Sequence, residues 1–161
     1  MRRAGGTGHG ESLSACGERR AGEPLAAGGS TPRHPDTIRY PLPMFIVAHG
    51  IDIVLVSRIA RLVDEHGQRF LERVYTDDEL SECLGDRRVM ARLASRFAAK
   101  EAAMKALGTG LARGITWHDV AVEKHASGQP RLLVRGRAAE IAGEMGVGAW
   151  MVSLSDTGEY A

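Results

Sequence analysis

Cysteine is scarce in this sequence, which has only Cys16 and Cys83 among its 161 residues. The two lie far apart, and Cys16 falls in a segment rich in proline and glycine. This spacing indicates neither a disulfide framework nor a zinc site. A reducing compartment fits such cysteine usage, so we expect a cytoplasmic protein.

Long apolar runs and a strong charge of either sign are also missing. Charged residues or glycine interrupt every apolar run before it reaches the roughly 18 residues that a membrane span needs. The N-terminal arginines precede no apolar core of a secretory signal. The formal net charge of +1 argues against bulk binding of nucleic acid. The sequence therefore predicts neither a membrane protein nor a nucleic-acid-binding protein.

Residues 1–43 lack hydrophobic periodicity and differ in composition from the rest. They hold five of the six prolines and eight of the 20 glycines, so burial cannot repay the entropy of ordering them. We expect 1–43 to be a disordered extension and 44–161 to form the one domain. Met44 opens the first strand-like run, which leaves open whether the functional polypeptide starts there.

The remainder of the chain mixes strand signals with helix signals. Apolar or alternating runs predict strands over 45–56, 119–124, 131–135 and 149–154, and the middle two are predicted to form a hairpin. Helical periodicity and capping residues predict helices over 57–67, 76–85, 90–108 and 138–145. We expect Ser57 to be the N-cap of the first helix, and Thr76 with Glu79 to form a capping box at the second. The order lacks the even alternation of strand and helix that a parallel sheet requires. We therefore predict an α+β fold with a small antiparallel sheet packed against helices.

The helix predicted over 90–108 places a carboxylate on an apolar face. The apolar side holds Met90, Leu93, Ala94, Phe97 and Met104, and the opposite side holds Arg92, Ser95 and Arg96. Glu101 falls in the middle of the apolar side. A charge there costs several kcal/mol unless it is compensated. This placement predicts a partner for Glu101, either a divalent ion or Lys105 one turn further on.

Asp52 is a second acid among apolar neighbours, because it shares a face of the first predicted strand with Ile46 and Val54. A carboxylate on a strand and another on a helix suit Mg²⁺, which takes one or two carboxylates and completes its shell with water and phosphate oxygens. The chain has only three lysines, and two of them, Lys100 and Lys105, flank Glu101. A lysine is a compact charge suited to a phosphate.

Each of these residues also has an ordinary explanation. An isolated aspartate in a strand is often an edge or turn residue, and Glu101 with Lys105 has the spacing of an i,i+4 pair on an exposed helix. The glycines of Gly108-Thr-Gly110 are typical of a helix C-cap. The placement of both acids on apolar faces favours the functional interpretation.

Six segments of this chain resemble the holo-[acyl-carrier-protein] synthase family, in the same order. They are Gly-Ile-Asp-Ile-Val at 50–54, Ser-Arg-Ile at 57–59, Arg-Phe-Leu-Glu-Arg-Val at 69–74, Arg-Phe-Ala-Ala-Lys-Glu-Ala at 96–102, Lys-Ala-Leu-Gly-Thr-Gly at 105–110 and Ser-Leu-Ser at 153–155. The resemblance covers 44–161. It implies a fold in which a small antiparallel sheet packs with helices.

The resemblance also implies a reaction and its residues. Coenzyme A gives its 4′-phosphopantetheine group to a serine of apo acyl carrier protein, and 3′,5′-ADP leaves. Asp52 and Glu101 would hold Mg²⁺, Glu101 would take the hydroxyl proton directly or through a water, and Lys105 would meet the coenzyme A phosphates. The implied coenzyme site further includes Gly108, Thr109, Gly110 and Ser155.

The same resemblance implies two kinds of protein contact. Arg58 matches a position that contacts the acidic carrier protein, and Arg61 lies three residues on, on the same helix face. A solvated surface charge is the alternative for Arg58. The family forms a homotrimer with coenzyme sites between subunits. Whether the carrier serves fatty-acid or polyketide synthesis stays open.

Two departures from the family pattern keep a second hypothesis open. Asp156 stands where many members carry histidine after Ser-Leu-Ser, and a carboxylate there would repel a polyphosphate unless it points away or binds metal. The chain also stops at Ala161, where the family continues into a closing strand. The alternative is therefore a degenerate module that binds coenzyme A or carrier protein without turnover.

Overall fold

The computed structural model describes residues 45–161, so our expectation of disorder in 1–43 lies outside the described residues. This part of the chain contains five α-helices, one 3-10 turn and one β-hairpin. The helices are α1 (Val56–His66), α2 (Gln68–Val74), α3 (Asp77–Leu84), α4 (Val89–Ala106) and α5 (Gly136–Glu144). The strands are β1 (Val120–Lys124) and β2 (Pro130–Val134), and the 3-10 turn spans Trp117–Asp119. Over 45–161, no helix has both the length and the apolar character that crossing a membrane requires.

Capping chemistry explains where the first helices begin and end. The predicted box at α3 is confirmed, because the backbone N–H of Glu79 donates to Thr76 Oγ1 and the backbone N–H of Thr76 donates to a Glu79 carboxylate oxygen. The expected N-cap at Ser57 is wrong, since α1 already starts at Val56 behind Leu55. Gly67 ends α1 with a φ of 55°, and α2 starts directly after it.

Helix α4 lies at the centre of the fold, packed against α1, α3 and β1. Leu93 and Phe97 join a core cluster with α1 and α3, and Met104 joins a second cluster with β1 and α5. The prediction that Ser95 and Arg96 face away from the core is wrong, because both are buried. The prediction assumed that one apolar face of the helix is buried, but α4 has neighbours on several sides and buries most of its circumference.

The predicted hairpin is confirmed within one residue at each strand. β1 and β2 pair antiparallel, from Val120 opposite Val134 to Lys124 opposite Pro130. Val120, Ala121 and Val122 are buried, so β1 is covered on both faces near α4. Together with the helices, this hairpin confirms the predicted α+β class with a small antiparallel sheet.

Two predicted strands, 45–56 and 149–154, are not strands in the described part of the chain. Burial alternates over 50–56 and over 149–154, as it does in a half-covered strand, whereas 45–49 are all exposed. Within 45–161 the ladder contact of these segments is a single isolated bridge, from Leu55 to Tyr160. Strand assignment requires a hydrogen-bonded neighbour, and these extended segments have almost none. Their apolar side chains are left in solvent, with Ile46 86% exposed and Ile51 77% exposed.

Candidate active site

Asp52 and Lys105 form the centre of the candidate site. Lys105 Nζ lies 2.6 Å from Asp52 Oδ1 and 3.4 Å from the carbonyl oxygen of Ile51, so helix α4 holds the segment 50–52 through its last turn. The Asp52 side chain is only 13% exposed, whereas that of Lys105 is 51% exposed. The acid is therefore sheltered and the lysine can still reach solvent.

Glu101 lies one turn before Lys105 on α4 and is half-buried. The expectation that it sits in the middle of the core face is wrong, because the described chain covers it only in part. Lys105 forms its ion pair with Asp52 rather than with Glu101. The hydrogen bond to Asp52 raises the pKa of Lys105, and the charges of Asp52 and Glu101 raise it further. Both carboxylates therefore act on one ammonium group.

The donor set at this site fits a hard divalent cation. Asp52 and Glu101 offer carboxylate oxygens from two separate segments. Within 45–161 no group of three or more histidine, cysteine, aspartate or glutamate residues could hold a metal. A site with two protein carboxylates leaves the remaining positions to water and ligand oxygens, which is the pattern of Mg²⁺.

Lys100 does not belong to this site, although the sequence placed it beside Glu101 as a second phosphate-binding lysine. Its side chain is 0% exposed, and its Nζ lies 2.7 Å from a Glu79 carboxylate oxygen and 3.1 Å from the carbonyl oxygen of Trp117. Burial lowers the pKa of Lys100, and the Glu79 charge partly offsets this effect. Lys100 is a core residue with a buried partner.

Sequence reasoning missed this buried pair. Glu79 Oε1 also accepts from the backbone N–H of Val122, so one carboxylate joins α3, α4 and β1. The capping box identified Glu79, but that local pattern gives no sign of a partner 21 residues further along the chain.

The turn after α4 is a helix C-cap in its geometry. Gly108 and Gly110 have φ values of 70° and 56°, in the left-handed region that favours glycine. The backbone N–H groups of Thr109 and Gly110 donate to the carbonyl oxygen of Met104. These donors are thus used by the end of α4, and the turn begins three residues after Lys105.

Asp156 and Ser155 lie beside a pocket that three arginines of the α4 region line. Each arginine has a carboxylate partner: Arg88 with Asp156 at 3.2 Å, Arg92 with Asp86 at 2.5 Å and Arg96 with Glu82 at 2.6 Å. Asp156 is therefore turned toward a cation, and Ser155 is exposed next to it.

Arg58 and Arg61 are both exposed on α1. The Arg58 guanidinium lies 5.9 Å from the centre of the Phe97 ring, and Arg61 lies 3.9 Å from Glu65. The ring contact restrains Arg58, while the Arg61 pair is a weak surface contact. Both charges are available to a partner.

Comparison with known proteins defines the family. The model of the 4′-phosphopantetheinyl transferase superfamily matches residues 48–160. The chain belongs to this superfamily, as the motifs in its sequence predicted. A relative from Koribacter versatilis, named holo-[acyl-carrier-protein] synthase, is 46% identical over 116 residues, which are 72% of this chain and 93% of the relative. A relative of the same name from Geobacter sulfurreducens is 45% identical and covers 72% and 92%.

Solved structures agree with this assignment. The crystal structure of holo-[acyl-carrier-protein] synthase from Neisseria meningitidis is similar with a TM-score of 0.65 and 35% identity, over 72% of this chain and 93% of that one. The Helicobacter pylori synthase in complex with coenzyme A gives a TM-score of 0.61 and 27% identity, over 70% and 92%. The predicted family and fold class are both confirmed.

Proposed function

We propose that this protein is a holo-[acyl-carrier-protein] synthase, which transfers the 4′-phosphopantetheine group of coenzyme A to a serine of apo acyl carrier protein and releases 3′,5′-ADP. Relatives 45% to 46% identical carry that name, and a similar structure contains coenzyme A. The observation that carries the proposal is the meeting of Asp52 with Lys105 one turn from Glu101.

The reaction is a displacement at the phosphorus that bears the pantetheine arm. The serine oxygen of the carrier forms the new P–O bond, the bond to 3′,5′-ADP breaks, and Glu101 receives the serine proton directly or through a water. Lys105 neutralises charge on the diphosphate and on the departing phosphate. Such transfers depend mainly on positioning and charge neutralisation.

Asp52 and Glu101 would hold Mg²⁺ in this scheme, and the ion would polarise the phosphate oxygens when bound. In the structure Asp52 Oδ1 accepts from the Lys105 ammonium at 2.6 Å. A position where this carboxylate faces a positive charge supports its proposed role as a ligand of a cation. The further coenzyme contacts that we propose come from the turn Gly108, Thr109 and Gly110 and from Ser155.

Cys83, the cysteine among the described residues, is poorly suited to form a covalent intermediate. Cys83 is free but fully buried, and burial raises the pKa of its thiol to about 11. The thiolate needed for nucleophilic attack is therefore scarce at neutral pH. We propose direct transfer to the carrier, in the reducing cytoplasm that the cysteine usage fits.

Arg58 and Arg61 are proposed to receive the acidic carrier protein. They lie one turn apart on the exposed side of α1, and Arg58 also contacts Phe97 of the site helix α4. Charges placed this way mainly steer association. Substitution of either arginine should affect the carrier concentration dependence more than the affinity for coenzyme A.

We also propose that the protein assembles as a homotrimer. The extended segments 45–53 and 149–155 expose apolar side chains of Phe45, Ile46, Ile53 and Met151 to solvent. Exposed apolar surface next to unpaired extended backbone is typical of an interface. Light scattering after size-exclusion chromatography should give three times the chain mass, and a monomer at all concentrations would contradict the proposal.

The decisive experiment is a transfer assay with the purified chain, coenzyme A, Mg²⁺ and apo acyl carrier protein. Intact-protein mass spectrometry should show one added phosphopantetheine group on the carrier, and none on a carrier whose acceptor serine is replaced by alanine. No mass increase at high enzyme concentration would contradict the proposed activity. Calorimetric binding of coenzyme A without a mass increase would support the non-catalytic module instead.

Asp156→Asn should strengthen the binding of coenzyme A by roughly 1.4-fold to fivefold, the range of a surface ion pair of about 0.2–1 kcal/mol. The change removes a negative charge beside the proposed coenzyme site and frees Arg88 from its partner. Calorimetry with coenzyme A measures the effect, and Glu140→Gln, which breaks an ion pair on α5, is the matched control. Unchanged or weaker binding would show that Arg88 does not meet the coenzyme.

A further inference from the structure

Gly50 lies so close to helix α4 that no other residue fits there. A Cβ atom on Gly50 would overlap the carbonyl oxygen of Ala102 and would lie 2.9 Å from the backbone nitrogen of Ala106. Gly50 is not among the residues with positive φ, so close approach explains the glycine rather than backbone conformation. Because the opposing atoms belong to the helix backbone, no side-chain change on α4 can make room.

This contact is one of two anchors of the segment that carries Asp52. Phe45 to His49 are exposed, as are Ile51 and Ile53. On the far side of Asp52, Val54 is buried and donates its backbone N–H to the carbonyl oxygen of Ala161. Asp52 therefore lies two residues from each anchor, with its carboxylate on Lys105.

We infer that Gly50 is a positioning residue, which sets the separation between Asp52 and the α4 face that carries Glu101 and Lys105. An added Cβ must retreat by roughly 1 Å or more before it reaches an ordinary van der Waals separation from Ala102. The backbone of 50–52 moves with it. A displacement of about 1 Å in a catalytic group is enough to cost on the order of 100-fold in rate. This inference rests on the proposed function.

The test compares Gly50→Ala with Gly143→Ala, whose added methyl meets nothing within 4 Å on helix α5. The readouts are the rate of phosphopantetheine transfer, the calorimetric affinity for coenzyme A with Mg²⁺, and the midpoint of thermal unfolding. Gly50→Ala should lose on the order of 100-fold in transfer rate. Gly143→Ala should keep the rate, and both proteins should unfold cooperatively.

A double-mutant cycle with Asp52→Asn separates positioning from general destabilisation. In the native background Asp52→Asn should lower the rate strongly, whereas in the Gly50→Ala background it should change the rate by less than about threefold. Asp52→Glu, whose side chain is one methylene longer, should recover part of the rate only in the Gly50→Ala background.

Three results would overturn the inference. They are a Gly50→Ala protein with native transfer rate, an equal effect of Asp52→Asn in both backgrounds, and a Gly50→Ala protein that does not fold, which would assign the glycine to folding. Failure of the proposed function itself looks different, because the unsubstituted chain would then transfer no phosphopantetheine.

Discussion

Glu101→Gln is expected to reduce phosphopantetheine transfer by 10²- to 10⁴-fold, the usual contribution of a general base. Asp52→Asn is expected to reduce it by roughly 100-fold, since a neutral amide holds neither a divalent cation nor the Lys105 ammonium as a carboxylate does. Both substitutions keep the shape of the side chain. Initial rates measured by mass spectrometry of the carrier at saturating coenzyme A give the two values.

The matched control for these variants is Glu140→Gln, which removes one exposed carboxylate from α5. Its transfer rate should stay within about twofold of the unsubstituted protein, as for a surface change remote from the site. If Glu101→Gln and Asp52→Asn behave like this control, then the two acids do not take part in the reaction. If only Asp52→Asn keeps a rate close to that of the control, the proposed metal site is wrong, whereas the proposed role of Glu101 as the base still holds.

Lys100→Met is expected to lower the free energy of unfolding by about 3–5 kcal/mol, because it leaves the Glu79 carboxylate charged and buried without its cation. Urea unfolding followed by circular dichroism measures the loss. Lys124→Met, at the exposed end of β1, is the matched control and should change stability by less than about 0.5 kcal/mol.

The double variant Glu79→Gln with Lys100→Met distinguishes charge from shape. It removes both charges but keeps a side-chain oxygen that can accept from the Val122 backbone N–H. Its stability should therefore lie well above that of Lys100→Met alone, since replacing a whole buried pair costs far less than breaking it. A double variant as unstable as the single one would show that packing, not the stranded charge, dominates at this position.

Local patterns in the sequence were sufficient for four of the five described helices and for the hairpin, whereas no helix was predicted where α2 lies. The capping box of Thr76 and Glu79, the hairpin around 125–129 and the long helix before Gly108 all depend on residues close together in the chain. The sequence also brought Asp52 and the Glu101 helix together through the family motifs. The ion pair between Lys105 and Asp52 was not predicted. The two residues are 53 positions apart, and their contact depends on how two distant segments pack.

Features that depend on several neighbours at once were predicted less well. The segments 45–56 and 149–154 have strand composition, but a strand forms only when another backbone pairs with it. Lys100 has the helix position of a surface lysine beside Glu101, yet α3, the 3-10 turn and the ring of Tyr75 surround it. A helical wheel contains no information about such an enclosure.

The 18 residues of helix α4 contribute to the core and also carry two of the proposed catalytic groups. Its middle turns pack Leu93, Phe97 and Lys100 inside, and its next turns present Glu101 and Lys105. Any substitution that shifts this helix also moves Glu101 and Lys105. Thermal stability and the proposed turnover are therefore hard to engineer independently along α4, and substitutions meant to raise stability should begin at the exposed positions of α5.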